Sequence, residues 1–337
     1  MSTDIAAYVA ALPKVELHLH LVGSAPPDAV LTLARRHPDG GVPTDPGALA
    51  EFYRFTDFPH FLDVYRRVNL LVRTGADVVT LVAGLGAELA ARTVRYAEVQ
   101  VAPVRNRMAG ISPDDLAQAL VEGRELVRAR HGVELGWIFD ADAALGLPGA
   151  WENLRFAVEH RPAGTVGLGL GGAERGVHRA DFAGVFRAAR DAGLRSAPHA
   201  GETVGPDEVW AAVRELGAER IGHGIGAATD PALLAHLAEH GIALEVCPTS
   251  NLRTRAVPSL QEHPLPLLIE AGVPVTLGSD DPGMFDTTLV TEYVAASELL
   301  GVSRQELVAI ARTGVEKSYA PDATRRRILA EIADHAS

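Results

Sequence analysis

The sequence predicts an α/β fold, a TIM (β/α)8 barrel. Short apolar runs rich in β-branched residues alternate with longer runs of helical periodicity, and the chain contains eight of the short runs. Such alternation is typical of a parallel sheet that closes into a barrel. The length of 337 residues leaves room for insertions, since a minimal barrel takes about 250. The predicted strands are Val15–His20, Val94–Ala102, Glu134–Phe139, Thr165–Leu170, Leu194–His199, Glu219–His223, Ile242–Val246 and Val273–Gly278.

Helices are predicted between most of these strands. Asp207 and Asp230 lie where helix starts favour acidic residues. Extra helices are expected after the first strand, where aromatic residues cluster over Phe52–Tyr65, and at the C-terminus after Asp286. No linker or repeat divides the chain, so we expect residues 1–337 to form a single domain. The predicted helices include Ala76–Ala91, Pro113–Arg130, Arg179–Ala192, Asp207–Leu216 and Pro231–His240.

Composition limits the function classes. The net charge of −12 disfavours nucleic acid and anionic membranes as partners. A lone cysteine, Cys247, excludes a disulfide within the chain. No apolar run reaches the ~18 residues of a membrane span, and the N-terminus lacks the basic segment of a signal peptide. We therefore expect a cytoplasmic protein with a small-molecule substrate; the sequence does not determine its oligomeric state.

The strongest local motif is an H-x-H pair at the end of the first predicted strand, formed by His18 and His20. Side chains at positions i and i+2 point to the same face of a strand, so both imidazoles can reach one metal ion. The motif alone is weak evidence, because two histidines on a surface strand give the same pattern.

Later strands strengthen the prediction of a metal site. His199 ends the fifth predicted strand, His223 ends the sixth, and Asp280 and Asp281 follow the eighth. Barrel enzymes build their active sites where the strands end. Three histidines and one aspartate from these strand ends form a mixed nitrogen and oxygen shell suited to zinc, with an open position for water. The predicted ligands are His18, His20, His199 and Asp280.

Five sequence blocks resemble the adenosine deaminase family of zinc aminohydrolases. They are ELHLHLVGS, SAPHAGE, RIGHG, EVCPTSN and LGSDDP, in this order, and the resemblance extends from about Pro13 to Phe285. It implies a zinc-dependent hydrolysis that replaces the 6-amino group of an adenine nucleoside and releases ammonia. The same four zinc ligands follow from the resemblance.

The resemblance also implies roles for four further residues. Glu202 would protonate the purine nitrogen N1, and His223 would orient and deprotonate the attacking water. Asp281 would form a hydrogen bond with N7, and the N–H of Gly172 would face N3. Zinc lowers the pKa of water to about 7, and a carboxyl group that donates to N1 lets the ring accept electrons at C6.

A single metal ion per chain is expected. Related barrels with two ions often bridge them with a carbamylated lysine on the fourth strand. The chain has lysine only at positions 14 and 317, and neither lies near the predicted fourth strand.

Two positions depart from the family pattern. The family usually carries an aspartate at the position of Val22, where it accepts a hydrogen bond from the ribose 5′-hydroxyl, and another at Gly169. Valine cannot accept a hydrogen bond, and an unpaired buried hydroxyl is unfavourable. The change predicts a substrate without a free 5′-hydroxyl, although another residue serving the ribose is the alternative.

Three segments resemble the aminodeoxyfutalosine deaminase subgroup of this family: HLVGS, Ala34–Asp39 and the GLGG block of the fourth strand. This implies an adenine nucleoside whose 5′ carbon carries an aryl ketone with a carboxylate, an intermediate of menaquinone biosynthesis. The aromatic cluster is a candidate wall for the aryl group or a helix core. Arg105 and Arg107 are candidates for the carboxylate, with solvated loop arginines as the alternative.

The sequence is compatible with other functions as well. The same machinery could deaminate adenosine or methylthioadenosine. A catalytically silent nucleoside-binding barrel is a further alternative, which the intact metal set, Glu202 and His223 argue against. Hydrolysis of a phosphotriester or an amide is disfavoured because the fourth strand lacks lysine and Asp280 is followed by Asp281.

Overall fold

The computed structural model describes residues 2–336, and its strands are all parallel to their neighbours. They form one sheet in the order β1-β2-β3-β4-β5 and a second in the order β6-β7-β8-β9. Within the described residues the strands are β1 Lys14–His20, β2 Val94–Val101, β3 Glu134–Asp142, β4 Thr165–Gly171, β5 Arg195–Ser196, β6 His199–Ala200, β7 Arg220–His223, β8 Ala243–Val246 and β9 Val275–Leu277.

The two sheets join into the predicted barrel. The predicted strand Leu194–His199 is divided into β5 and β6 because Pro198 has no N–H for the ladder. The carbonyl of Pro198 still accepts a hydrogen bond from Gly222 N at 2.9 Å, which continues the pairing with β7. On the other side, a parallel bridge between Leu19 and Asp280 connects β1 to the end of β9. The TIM-barrel prediction is confirmed.

Helices pack around the sheet and also form the insertions expected from the sequence. Between β1 and β2 lie α2 to α5, and α15 to α17 follow β9. Within the described residues the helices are α1 Ser2–Ala11, α2 Pro27–Arg36, α3 Pro46–Phe52, α4 Phe58–Asn69, α5 Gly75–Ala91, α6 Pro103–Met108, α7 Pro113–His131, α8 Gly146–Glu159, α9 Ala183–Asp191, α10 Pro206–Arg214, α11 Pro231–His240, α12 Pro248–Arg253, α13 Leu265–Glu270, α14 Pro282–Phe285, α15 Leu289–Leu300, α16 Arg304–Lys317 and α17 Asp322–Ala336.

Local sequence accounts for the helix boundaries. Asp230 precedes α11, and its side chain accepts from the N–H groups of Ala232 and Leu233, which have no partner within the helix. The predicted helix Arg179–Ala192 begins instead as a 3-10 turn, Arg179–Phe182, before α9. In residues 2–336, none of the helices has the length and apolar character needed to span a bilayer.

The barrel interior contains a buried ion cluster as well as apolar side chains. Arg220 on β7 forms ion pairs with Glu98 on β2 and with Glu245 on β8, and all three side chains are at most 1% exposed. Buried charges are tolerated only when they are paired and hydrogen-bonded. This cluster lies beneath the ends of the strands, where the polar residues of the predicted site converge.

Candidate metal and catalytic site

The predicted site residues meet at the carboxyl ends of β1, β6, β7 and β9. Two of them have left-handed backbone conformations: His223 has a φ of 58° and Asp280 has a φ of 63°. Residues other than glycine adopt this region uncommonly, although aspartate and histidine do so more often than most, and such conformations are concentrated at functional sites. The strained backbone turns both side chains toward the centre of the barrel mouth, where both are buried.

The geometry fits a metal ion held by the four predicted ligands. Asp280 Oδ1 lies 3.5 Å from His18 Nε2 and 3.2 Å from His20 Nε2. His20 Nε2 is in turn 3.2 Å from His199 Nε2. The buried Nε2 atom of His18 has no hydrogen-bond partner among the described residues. Nitrogen and oxygen lone pairs that converge in this way match the ligand preference of zinc.

His223 also lies near this centre. Ligand atoms of His18, His199, His223 and Asp280 all lie within 4.8 Å of one another. His223 Nε2 is 3.8 Å from Asp280 Oδ2, on the side away from the Oδ1 atom that His18 and His20 face. This placement suits a residue that contacts a water molecule beside the metal.

A second layer of residues orients the ligands. Glu245 Oε2 accepts a hydrogen bond from His18 Nδ1 at 2.9 Å, and Ser250 Oγ donates to Asp280 Oδ2 at 2.6 Å. Because His18 Nδ1 is the donor, its Nε2 atom keeps a lone pair for the metal. Arg220 holds the other oxygen of Glu245 at 2.6 Å. The interior ion cluster thus extends directly to a metal ligand.

Glu202 is buried in a setting that keeps its carboxyl group protonated. Burial, followed by the negative charges of Asp280 and Glu174, raises the pKa of Glu202 to about 8. Thr254 Oγ1 donates to Glu202 Oε1 at 2.9 Å. The loop that carries Glu202 is held by Glu174, which accepts from the N–H groups of Gly201 and Thr203. A neutral carboxyl fixed at this position can donate a proton.

A relay of side chains determines which nitrogen of His223 carries hydrogen. Leu265 N–H donates to His263 Nδ1 at 3.1 Å, so neutral His263 donates from Nε2 to Asn251 Oδ1. Asn251 Nδ2 then donates to His223 Nδ1 at 3.2 Å. Burial lowers the pKa of His263 to about 4 and that of His223 to about 3, so both rings are neutral. The hydrogen of His223 is therefore on Nε2, which faces Glu202 and Asp280.

Asp281 presents an unpartnered carboxyl oxygen to the same space. Its Oδ1 atom is buried without a hydrogen-bond partner among residues 2–336, and Gly23 leaves room for it because a Cβ atom there would overlap the carboxylate. Burial and the neighbouring charge of Asp280 raise the pKa of Asp281 well above its usual range. Gly172, directly after β4, borders the same space and has a φ of 87° that favours glycine.

The structure gives a physical reason for the glycine at position 169. Asp140 on β3 lies opposite Gly169 in the sheet register, and its buried carboxyl group faces the cavity. A Cβ atom on Gly169 would lie 2.5 Å from Asp140 Oδ1, and one on Gly171 would overlap Oδ2. Asp140 on β3 therefore places its carboxyl group in the space that Gly169 and Gly171 on β4 leave open.

A cavity of about 280 Å³ extends from this centre toward α4. It is lined by His20, His199, Glu202, His223, Asp280, Asp281 and Gly172, and on α4 by Phe58, Phe61, Leu62, Tyr65 and Arg66. The aromatic cluster predicted from the sequence therefore contributes partly to the cavity, since Phe52, Tyr53 and Phe55 are not among its lining residues.

Three residues that the sequence predicted to contact the substrate lie outside the cavity or are already paired. Val22 lies in the hydrophobic core, 4% exposed, and is not among the residues that line the cavity. Arg107 also lies outside the lining and pairs with Glu152. Arg105 does line the cavity, but Asp142 holds it at 2.6 Å. Neither arginine presents an unpaired charge, because each forms a salt bridge with a carboxylate.

A metal centre beside a protonated carboxyl group, at the mouth of a parallel barrel, defines the class of metal-dependent hydrolases. The adenosine deaminase family model matches residues 13–335. The chain belongs to the adenosine deaminase family, whose members are zinc-dependent hydrolases that deaminate adenine-like substrates.

Individual relatives agree with this assignment. An aminodeoxyfutalosine deaminase from Streptomyces avermitilis is 50% identical over 331 residues, which cover 98% of this chain and 92% of the relative. An adenine deaminase from Sinorhizobium medicae is 36% identical over 321 residues, covering 95% of this chain and 98% of the relative.

Solved structures show the same fold. The crystal structure of an adenine deaminase from Arthrobacter aurescens has a TM-score of 0.92 at 30% identity, covering 97% of this chain and 99% of its own. An amidohydrolase from Burkhoderia ambifaria, solved with bound zinc, has a TM-score of 0.89 at 25% identity, covering 98% of this chain and 93% of its own. The metal in that neighbour supports zinc as the ion for the centre described above.

The metal assignment predicts a specific loss. Purified protein should contain about one zinc ion per chain, and His199→Ala should remove most of it, because the set of four protein ligands drops to three. Elemental analysis after dialysis measures the content. Exposed His131 provides a control, since His131→Ala should keep the metal. Full zinc content in His199→Ala would exclude His199 as a ligand.

Proposed function

We propose that this enzyme deaminates aminodeoxyfutalosine, an adenine nucleoside whose 5′ carbon carries an aryl ketone with a carboxylate. The observation that carries the proposal is the cavity, which continues from the metal and acid residues to an apolar wall on α4. The relatives from two Streptomyces species that bear this name, 50% and 49% identical over almost the whole chain, support it.

The metal ligands proposed for zinc are His18, His20, His199 and Asp280. Zinc in this position supplies Lewis acidity, which lowers the pKa of water to about 7 and makes a nucleophile available at neutral pH. The rest of the reaction follows from groups of the protein that surround the purine.

Glu202 is the proposed general acid. Its protonated carboxyl group donates to purine N1 as water adds to C6, so the ring nitrogen gains a proton while C6 gains a bond to oxygen. The water gives up both of its protons during the reaction: one passes to the 6-amino group, which leaves C6 as ammonia, and the other restores the carboxyl group of Glu202, while the oxygen remains as the oxo group of the product. Asp281, kept protonated by burial, donates to N7, and the N–H of Gly172 faces N3.

His223 is proposed to orient the attacking water. The sequence resemblance implied that it also removes the proton of this water. The relay from Leu265 through His263 and Asn251 supports the orienting role instead, because it leaves hydrogen on the Nε2 atom that faces the site. Neutral His223 with this tautomer donates a hydrogen bond toward the water oxygen and has no lone pair there to accept a proton.

The 5′ end of the nucleoside distinguishes the proposed substrate from simpler ones. The cavity wall formed by Phe58, Phe61, Leu62 and Tyr65 matches an aryl group, whereas Val22 lies in the core outside the cavity. Adenine alone, the substrate named for other relatives, would leave this wall unused. Adenosine and methylthioadenosine remain alternative substrates for the same chemistry. The cytoplasmic location and the absence of nucleic-acid partners stay predictions.

Replacement of the general acid should separate chemistry from metal binding. Glu202→Gln should retain zinc, because the amide preserves the shape of the side chain, and should lower kcat by about 100-fold or more, the usual effect of losing a general acid. Steady-state kinetics and elemental analysis give the two values. Glu239→Gln, on the exposed part of α11, serves as a control with unchanged kcat. A reduction below about tenfold in Glu202→Gln would remove this residue from the reaction.

The substrate proposal predicts an order of preference. Beside the apolar side chains of α4 the 5′-hydroxyl of adenosine finds no hydrogen-bond partner, and an unpaired buried hydroxyl costs roughly 1–3 kcal/mol, a factor of about 5 to 150. Aminodeoxyfutalosine avoids this penalty and gains apolar contact with α4. Its kcat/KM, followed by absorbance as the amine becomes an oxo group, should therefore exceed the values for adenosine and methylthioadenosine. A higher kcat/KM for adenosine would refute the substrate while leaving the deamination intact.

A further inference from the structure

One face of α4 forms the outer wall of the cavity. Its lining residues are spaced by three or four positions, as expected for neighbours on one side of a helix. Phe58, Phe61, Leu62 and Tyr65 make the wall apolar, and Arg66, in the last turn of the helix, adds a positive charge to it. The wall therefore combines an aromatic surface with a cation.

Arg66 differs from the other arginines near the site in having no ion pair. Within residues 2–336, its guanidinium has no hydrogen-bonding or salt-bridge partner, although the side chain lines the cavity. Arg105 is bound to Asp142, and Arg107 is bound to Glu152. Arg67, the next residue on α4, pairs with Asp63 at 3.1 Å. Arg66 is thus the cavity arginine whose charge is available to a ligand.

The inner part of the cavity offers an anionic group fewer favourable contacts than Arg66 does. Carboxyl groups of Asp140, Asp142, Glu202, Asp280 and Asp281 line its inner part. An acidic substrate group finds no free arginine there, because Arg105 is already bound to Asp142. Arginine remains protonated at any working pH and presents a planar fork that binds a carboxylate through two hydrogen bonds. An anionic group is therefore favoured at the α4 side of the cavity.

We propose that Arg66 binds the carboxylate on the 5′ group of the substrate, while the aromatic wall of α4 receives the aryl ring. This inference rests on the proposed function, because it assigns the contact for the acidic 5′ group of that substrate. It also replaces the sequence-based candidates Arg105 and Arg107, whose charges are neutralised by Asp142 and Glu152. Arg66 is a specificity residue and takes no part in the chemistry at C6.

The experiment compares Arg66→Met with the matched variant Arg67→Met. Both remove one arginine from adjacent, exposed positions of α4, but Arg67 is not among the cavity-lining residues. Each enzyme is assayed with aminodeoxyfutalosine, with its methyl ester and with adenosine. Arg66→Met should raise KM for the acid and lower its kcat/KM by about tenfold or more, as expected for a lost charge-assisted hydrogen bond, with kcat nearly unchanged. The ester and adenosine should keep their wild-type values, and Arg67→Met should match wild type on all three substrates.

Other patterns would overturn the proposal. If Arg66→Met lowers kcat/KM equally for acid and ester, Arg66 supports the wall without recognising the carboxylate. If the acid is unaffected, Arg66 makes no contact with it. A wild-type enzyme that prefers adenosine to the acid shows instead that the proposed substrate is wrong, and the Arg66 assignment falls with it. Arg66→Lys provides a further check, since a retained charge should restore part of the selectivity for the acid over the ester.

Discussion

The carboxylate of Glu245 connects the interior of the barrel to the metal centre. One oxygen binds Arg220 at 2.6 Å, and the other accepts from His18 Nδ1 at 2.9 Å. Arg220 also binds Glu98, so the chain of contacts crosses the barrel from β2 through β7 and β8 to β1. Each of these groups is buried, and removing one partner of a buried ion pair is strongly destabilising. The same contacts that stabilise the barrel therefore fix the tautomer and position of a metal ligand.

Side-chain hydrogen bonds orient the residues that the strand ends bring together. Parallel strands bring His18, His199 and His223 to one edge, but the backbone alone does not orient their rings. Glu245 orients His18, Asn251 orients His223, and Ser250 holds Asp280. Glu202 is held by Thr254. The candidate metal ligands and Glu202 are thus positioned by hydrogen bonds within the protein itself.

Much of the fold and the central site could be predicted from sequence, because both depend on local patterns. Strand periodicity predicted the barrel, and motif residues at strand ends predicted candidate metal ligands and Glu202, which the fold brings close together. The division of the fifth strand at Pro198 was missed, although a proline inside a predicted strand was a visible signal. Asn251 lay within a recognised block, EVCPTSN, yet its role depends on His263, whose position in space the sequence does not reveal.

The outer part of the cavity was the least predictable. Arg105 and Arg107 looked suitable for an anion by residue type, but Asp142 and Glu152 come from distant segments to neutralise them. Asp140 was not anticipated either, since its place beside Gly169 follows from the register of β3 and β4. Tertiary structure determines which carboxylate each arginine binds. Only the folded chain therefore shows that Arg66 has no such partner at the cavity.

Zinc affinity of Glu245→Gln tests most directly whether the interior cluster holds the metal centre. The amide can still accept from Arg220, but its NH2 group then donates to His18 Nδ1. This places the ring hydrogen on Nε2 and removes the lone pair that the metal needs. Competition with a chelator should show zinc binding about 10- to 100-fold weaker than in wild type, while the circular dichroism spectrum remains that of the folded barrel and the melting temperature falls because a buried ion pair has lost one charge. Wild-type affinity in this variant would contradict the account.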